Sequence, residues 1–209
     1  MKQQTNPETM QKSEKKRGLL GAADFLYDFL ETFAVAVLVV LLIFTFFFRL
    51  CEVDGQSMEN TLYDGEKLIL TSAGYKPEQG DIVVFHLTDE IFEKSLVKRV
   101  IATEGQEVKI DFTAGKIYVD GVLYNDTHAT LKDAYTNQIT GVYTLRAQHH
   151  YDVETNTFSA VVPEGCIFVM GDNRNNSRDS RFEEVGFVDT RCVLGKAILR
   201  LAPFTILNK

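Results

Sequence analysis

The sequence predicts a mainly β protein behind one N-terminal membrane-spanning helix. Three observations predict it. Residues 32–48 run without a charge, although the chain carries 22 Lys+Arg and 29 Asp+Glu in 209 residues. Beyond that run, short stretches rich in Val, Ile and Phe alternate with Gly, Pro, Asp and Asn, which is the texture of strands and turns. Asp120-Gly121, set between Ile117-Tyr118-Val119 and Val122-Leu123-Tyr124, is a two-residue hairpin signal. At roughly 150 residues per domain, the length fits one domain or one domain with an inserted lobe.

Residues 1–18 are polar, lack apolar periodicity and predict a mobile tail. Gly18 to Glu31 is amphipathic, with Leu20, Phe25, Leu26, Phe29 and Leu30 leading into the apolar run. Seventeen helical residues span about 26 Å against a hydrocarbon core of about 30 Å, and Leu50 and Cys51 extend the run past Arg49. It ends Phe46-Phe47-Phe48-Arg49, without the small-residue site of a cleaved secretory signal, so it reads as a retained anchor. Lys12, Lys15, Lys16 and Arg17 precede it, whereas only Arg49 follows before Lys67. That asymmetry predicts a cytoplasmic N-terminus and an outer remainder.

Strands are predicted at Lys67–Leu70, Asp81–Leu87, Leu96–Ala102, Glu107–Ile110, Lys116–Val119, Ser159–Val162, Cys166–Met170 and Val193–Leu201. Residues 125–158 break this rhythm and read as an inserted lobe or long loops. Residues 201–209 are too short and polar for a second span, which predicts a single crossing.

The net charge of −7 and the lack of a basic block after the anchor exclude a nucleic-acid surface. Cys51, Cys166 and Cys192 permit at most one internal bridge, and a Cys166–Cys192 pair or buried free thiols are both open. No Cys-x-x-Cys spacing suggests structural zinc. His149-His150 is no better a metal site, because adjacent residues on an extended chain point to opposite faces.

Three segments carry candidate chemistry. Gly55-Gln56-Ser57-Met58 places a serine in a bend just past the anchor, where a nucleophile would have backbone N–H groups nearby for an oxyanion. In Ser95–Ala102, strand alternation puts Lys98 with Leu96, Val100 and Ala102 and sends Arg99 the other way. Burial on an apolar face penalises the ammonium form, and a lysine base working near pH 8 needs about 3 kcal/mol of such penalty. Met170–Arg181 is a dense polar run after an apolar strand, rich in residues that bond their own backbone and rigidify a loop. A carboxylate from it, such as Asp179, would suit Arg99.

Ser57 with its bend, Lys98-Arg99-Val100 41 residues later, and Gly171-Asp172-Asn173-Arg174 through Ser177-x-Asp179-Ser180-Arg181 resemble the bacterial type I signal peptidases in order and spacing. Gly80-Asp81-Ile82-Val83-Val84-Phe85 and Gly195-Lys196-Ala197 extend the likeness. The resemblance implies a membrane-anchored Ser–Lys endopeptidase, with a barrel-like antiparallel β domain and an inserted β lobe, that removes signal peptides from exported preproteins. It divides the chain into a cytoplasmic tail at 1–24, an anchor at 25–50 and an extracytoplasmic peptidase domain at 51–209, with the lobe at about 108–160.

By motif position, the resemblance makes Ser57 the nucleophile and neutral Lys98 the general base and later acid. Ser177 would hold the Lys98 amine, and Asp179 with Arg99 and Arg181 would brace the loop. Val53, Met58, Leu62, Leu96 and Val97 match positions near the pockets for small side chains at −1 and −3. The Ser57 N–H would donate to the oxyanion. In some members a serine two residues before the nucleophile adds a donor; Gly55 stands there, which leaves the second donor open. Asn60 replaces the usual proline and predicts a softer loop. The stretch Phe182–Val185 makes the loop exit slightly longer than the common pattern.

Such an enzyme needs no cofactor and no metal. Its partners would be preprotein signal peptides and the lipid bilayer, in the neighbourhood of the secretion translocon. A histidine base would have to come from His86, His128, His149 or His150, one at a strand end and three in the irregular lobe. Two other readings stay open: a Ser–Lys peptidase dedicated to one secreted or pilus protein, and a non-catalytic anchored β module that binds extended peptides by strand addition.

Overall fold

The computed structural model describes residues 7–72, 74–87, 95–125, 127–129, 149–152, 154–182 and 184–207, with side chains from residue 25 onwards except those of 149 and 150. Helix α1 runs from Pro7 to Phe47. Proline at the first helical position forfeits no internal hydrogen bond, and the Glu, Gln and Lys that follow are good helix formers. Much of the expected unstructured tail is therefore helical. Within α1, Phe25–Phe47 is 23 residues of mean hydropathy 2.6, long and apolar enough to cross a membrane, with none of it buried against protein. Its two threonine hydroxyls bond back to carbonyls one turn earlier, Thr32 to Asp28 and Thr45 to Leu41, both at 2.8 Å, so neither is left unsatisfied.

The expected end of the apolar helix is corrected too. Phe48, Leu50 and Cys51 do not continue it but belong to strand β1, Phe48–Glu52, because that segment pairs antiparallel with β2, Lys67–Thr71. The remaining strands of the main sheet are β3 (Ile82–Phe85), β4 (Leu96–Thr103), β10 (Cys166–Met170), β11 (Val188–Asp189), β12 (Val193–Leu201) and β13 (Phe204–Ile206). They form an eight-stranded antiparallel half-barrel in the order β1-β2-β12-β3-β4-β10-β11, with β13 hairpinned onto β12.

A second, five-stranded sheet supplies the lobe, in the order β7-β6-β5-β9-β8. Its strands are β5 (Glu107–Asp111), β6 (Lys116–Val119), β7 (Val122–Leu123), β8 (His149–Asp152) and β9 (Thr157–Val161). The β6–β7 turn is the expected hairpin: Asp120 and Gly121 have φ of 52° and 77°, the pair of positive values a two-residue primed turn needs. His149 and His150, read from sequence as part of an irregular stretch, lie on β8, paired with Ala160 and Ser159. Residues 130–148 lie outside the described ones.

One apolar cluster joins the two sheets, with Ile101 and Ala102 of β4 and Phe168 and Met170 of β10 against Val108, Ile110, Ile117, Phe158 and Ala160. Phe168, 1 % exposed, is central to it, with ring centroids 6.2 Å from Phe158 and 6.0 Å from Phe187. Strand β4 is buried from Val97 to Ala102, because β3 and β10 flank its edges and its side chains enter three apolar clusters, Ile101 and Ala102 one, Val97 a second and Val100 a third. Phe168→Ala removes the ring that both sheets share and is expected to cost about 3–5 kcal/mol, measured by urea unfolding of the wild type and variant.

Candidate active site

The segment after β1 turns sharply at Gly55, whose φ of 94° favours glycine and whose N–H donates to Asp64 Oδ1 at 2.7 Å. Next comes one helical turn. Thr61 N and Leu62 N both donate to Met58 O, at 3.0 and 2.8 Å. Met58 and Leu62, 1 % and 0 % exposed, fasten this turn into an apolar cluster with Val53, Leu68, Leu70 and Val97. Asn60 closes it with a φ of 81°, a value proline cannot adopt. The position is therefore a left-handed turn residue rather than a softened proline. Ser57 stands at the head of the turn, half-buried, and among the described residues its N–H donates to no group.

Lys98 reaches Ser57 from β4, its Nζ 2.7 Å from Ser57 Oγ and 2.9 Å from Val97 O. The lysine is 2 % exposed, and burial pulls its pKa down from 10.5 to about 8. The Asp179 and Asp172 charges oppose that fall, and Arg181 assists it. A shift of this size corresponds to about 3 kcal/mol, the penalty a lysine base near pH 8 requires. When the amine is neutral, its lone pair faces the serine hydroxyl.

The loop after β10 braces both residues. Asp172, fully buried, takes Arg99 in a two-pronged ion pair, Nε to Oδ1 at 2.8 Å and Nη2 to Oδ2 at 2.7 Å. It also accepts from Thr61 Oγ1 at 2.5 Å. Asn173 N donates to Ser57 O at 3.0 Å, and Asn173 Nδ2 donates to Gln56 O at 3.1 Å. Asp179 accepts from Gly171 N at 2.9 Å and pairs with Arg181 at 2.7 Å. Burial alone would raise the Asp179 carboxyl, but the Arg181 charge and the hydrogen bonds more than reverse it and hold the pKa below the usual range.

Ser57, Lys98, Arg99, Ser177, Asp179 and Arg181 thus come together, with two differences from expectation. Arg99 pairs with Asp172, not Asp179, because Asp179, seven residues further along the loop, is already taken by Arg181 and because Arg99 is further fixed by Gly80 O at 2.9 Å. Ser177 Oγ, 5 % exposed, makes no hydrogen bond to the Lys98 amine; it sits close to Asp179 but outside bonding geometry. Of the expected pocket residues, Val53, Met58, Leu62 and Val97 share one cluster under Ser57, whereas Leu96 packs against the cluster of Val83, Phe85 and Val100. His86 and His128 are exposed, and the described partner of the Ser57 hydroxyl is Lys98. All three cysteines are free thiols. Sequence reading gave no role to Asp172 or Thr61, although Asp172 lies inside the Gly171-Asp172-Asn173 motif, and that motif was the available signal.

A mainly β enzyme with a buried lysine on a turn serine defines the class, and comparison with known proteins fixes the family. Residues 26–202 match the family described as signal peptidase, peptidase S26. Signal peptidase IB of Staphylococcus aureus is 31 % identical over 185 residues, covering 86 % of this chain and 91 % of that protein. The probable signal peptidase I-2 of Synechocystis sp. is 32 % identical over 180 residues, covering 83 % and 72 %. A crystal structure of a signal peptidase I from Enterococcus faecalis is 28 % identical, with a TM-score of 0.37, over 58 % of this chain and 97 % of that one. The chain belongs to the signal peptidase family, among the type I enzymes, and is a peptidase that cleaves signal peptides.

Gly171 is where the loop and the serine turn touch, since a Cβ there would collide with Ser57 O and Ser177 Oγ. The backbone carbonyl cannot swing aside as a long side chain would. Gly171→Ala is therefore expected to shift Ser57 against Lys98 and lower kcat about 100-fold or more, checked by steady-state cleavage of a preprotein.

Proposed function

We propose that this peptidase works by acyl-enzyme chemistry, with Ser57 as nucleophile and neutral Lys98 as general base. The observation that carries the reading is the 2.7 Å approach of a buried amine to the serine hydroxyl, with the lysine pKa drawn to about 8. Lys98 Nζ takes the Ser57 proton as Oγ bonds to the carbonyl carbon of the −1 residue. The oxyanion lies against the free N–H of Ser57. Collapse breaks the C–N bond, and the Lys98 ammonium returns its proton to the departing amine. Water then attacks the acyl ester as Lys98 accepts its proton, the C–Oγ bond breaks as Lys98 passes that proton to Ser57 Oγ, and the signal peptide leaves with a new carboxylate.

Support for an extended substrate comes from β4. Its pairing with β10 ends at Arg99, whereas its pairing with β3 continues to Leu96, so among the described residues no strand pairs with the β10-side edge of Leu96–Val97 beside Lys98. A segment laid along this edge would run over Val97, with Val53, Met58 and Leu62 buried beneath, a closely packed floor that leaves room only for small residues at −1 and −3. Leu96 borders the same edge.

The apolar helix is the proposed single-pass anchor, with the N-terminus cytoplasmic and the peptidase domain on the outer side, where preproteins arrive from the translocon. A row of paired residues across four strands, Leu50–Ile69–Leu199–Ile206, supports a bilayer partner, with Leu50 and Ile206 65 % and 64 % exposed. Leu50, at one end of the row, follows the end of α1 by three residues.

The test is cleavage of a purified preprotein by the wild type, Ser57→Ala and Lys98→Ala, with the product N-terminus sequenced. Cutting after a small residue is expected, and it should vanish in both variants; a Lys98→Ala enzyme that still cuts would overturn the base assignment. Because the amine must lose its proton, kcat/KM is expected to rise with pH through an acid limb near 8, read from a pH–rate profile.

A further inference from the structure

The turn that carries Ser57 is gripped from beneath by Met58 and Leu62, and apolar contacts fix depth better than direction. Directed bonds must therefore aim the hydroxyl. Three of them, from Asn173 N to Ser57 O and from Asn173 Nδ2 and Asn176 Nδ2 to Gln56, lead into the 171–181 loop. The Thr61 side chain enters the same loop at another point, the one that holds β4. Its Oγ1 donates to Asp172 Oδ2 at 2.5 Å, and Asp172 in turn grips Arg99 at both ends of its carboxylate.

Arg99 is the neighbour of Lys98 on β4. The links close into a ring: Ser57, along the turn to Thr61, across to Asp172, across to Arg99, one residue to Lys98, and back to Ser57 at 2.7 Å. Thr61 is also held from behind, its carbonyl accepting from Arg200 Nη1 at 3.1 Å. Asp172 keeps its ion pair without Thr61, so the buried charge does not depend on this hydroxyl.

Resting on the Ser57–Lys98 reading, we infer that Thr61 is a positioning residue whose hydroxyl sets the approach of the Ser57 nucleophile to Lys98. Substrate is not its partner. Loss of the hydroxyl should slow the chemical step and leave binding intact, and serine, which keeps the hydroxyl, should replace it.

The experiment compares the full-length wild type, Thr61→Val, Thr61→Ala and Thr61→Ser in detergent micelles, on one preprotein, with Ser57→Ala and Lys98→Ala beside them. Thr61→Val and Thr61→Ala are expected to lose about 10- to 100-fold in kcat with KM within about twofold of the wild type. Thr61→Ser should hold kcat within about threefold. Thermal melts of the variants should stay within a few degrees of the wild type, which separates misplacement from unfolding. Thr61→Ala serves if the branched valine does not fold. A wild-type kcat in both hydroxyl-free variants, or a Thr61→Ser enzyme as slow as they are, would overturn the inference. Turnover by Ser57→Ala or Lys98→Ala would instead overturn the dyad on which it rests.

Discussion

A buried guanidinium with no carboxylate would cost several kcal/mol, so Arg99, 2 % exposed, obliges the chain to bring Asp172 to it. The rest of the site follows from this pair. Asp172 leaves β10 at the start of the polar loop, and pulling it onto β4 draws the whole loop across the strand. Asn173 is thereby placed against Ser57, and Gly171 is pressed so close to the serine turn that no Cβ fits. The second buried pair, Asp179 with Arg181, closes the loop on itself through Gly171 N and Arg174 O.

The same pairing explains why adjacent basic residues on β4 behave differently. Asp172 is committed to Arg99 and Asp179 to Arg181, so among the described residues neither carboxylate forms a salt bridge with Lys98. Their residual attraction is outweighed by burial, and the lysine falls to about 8. A free carboxylate beside the amine would keep it charged and useless as a base. Two ion pairs that contribute little to stability on balance therefore serve the proposed chemistry by occupying the two carboxylates that would otherwise hold Lys98 charged.

Local signals made much of this legible in the sequence. Runs of Val, Ile and Phe punctuated by Gly and Asp marked β2, β4, β6, β10 and β12 closely, and Asp120-Gly121 marked its hairpin. Period-two alternation put Lys98 and Arg99 on opposite faces. It could not show that both faces are buried, because that depends on side chains from other strands that pack against β4. Nor could spacing choose between Asp172 and Asp179 for Arg99, since both lie on one loop and the choice is made by hydrogen-bond geometry with Gly80 O and Thr61. Strand β8 was missed because His149-His150-Tyr151-Asp152 has weak strand character and owes its form to β9. Thr61 gave no signal: a threonine in a turn is usually a local hydrogen-bonder.

The two kinds of ionisable group in the site also answer pH in opposite ways. Asp179 has a pKa held below its unfolded value, so its contribution to stability is present above about pH 4 and is lost only as the pH falls through the lowered folded value. Lys98 has a folded pKa of about 8 against 10.5 when unfolded. Between those values the unfolded chain binds the extra proton, so this group makes the fold more stable as the pH rises from about 8 towards 10.5. Below about 8 the fold carries a desolvated ammonium, and in the neutral range it does so beside an Asp179 carboxylate that is still ionised. In the neutral and mildly alkaline range the Lys98 amine thus changes its proton while Asp179, held below its usual range, does not. A base can be switched on by pH here without loosening the loop that positions it.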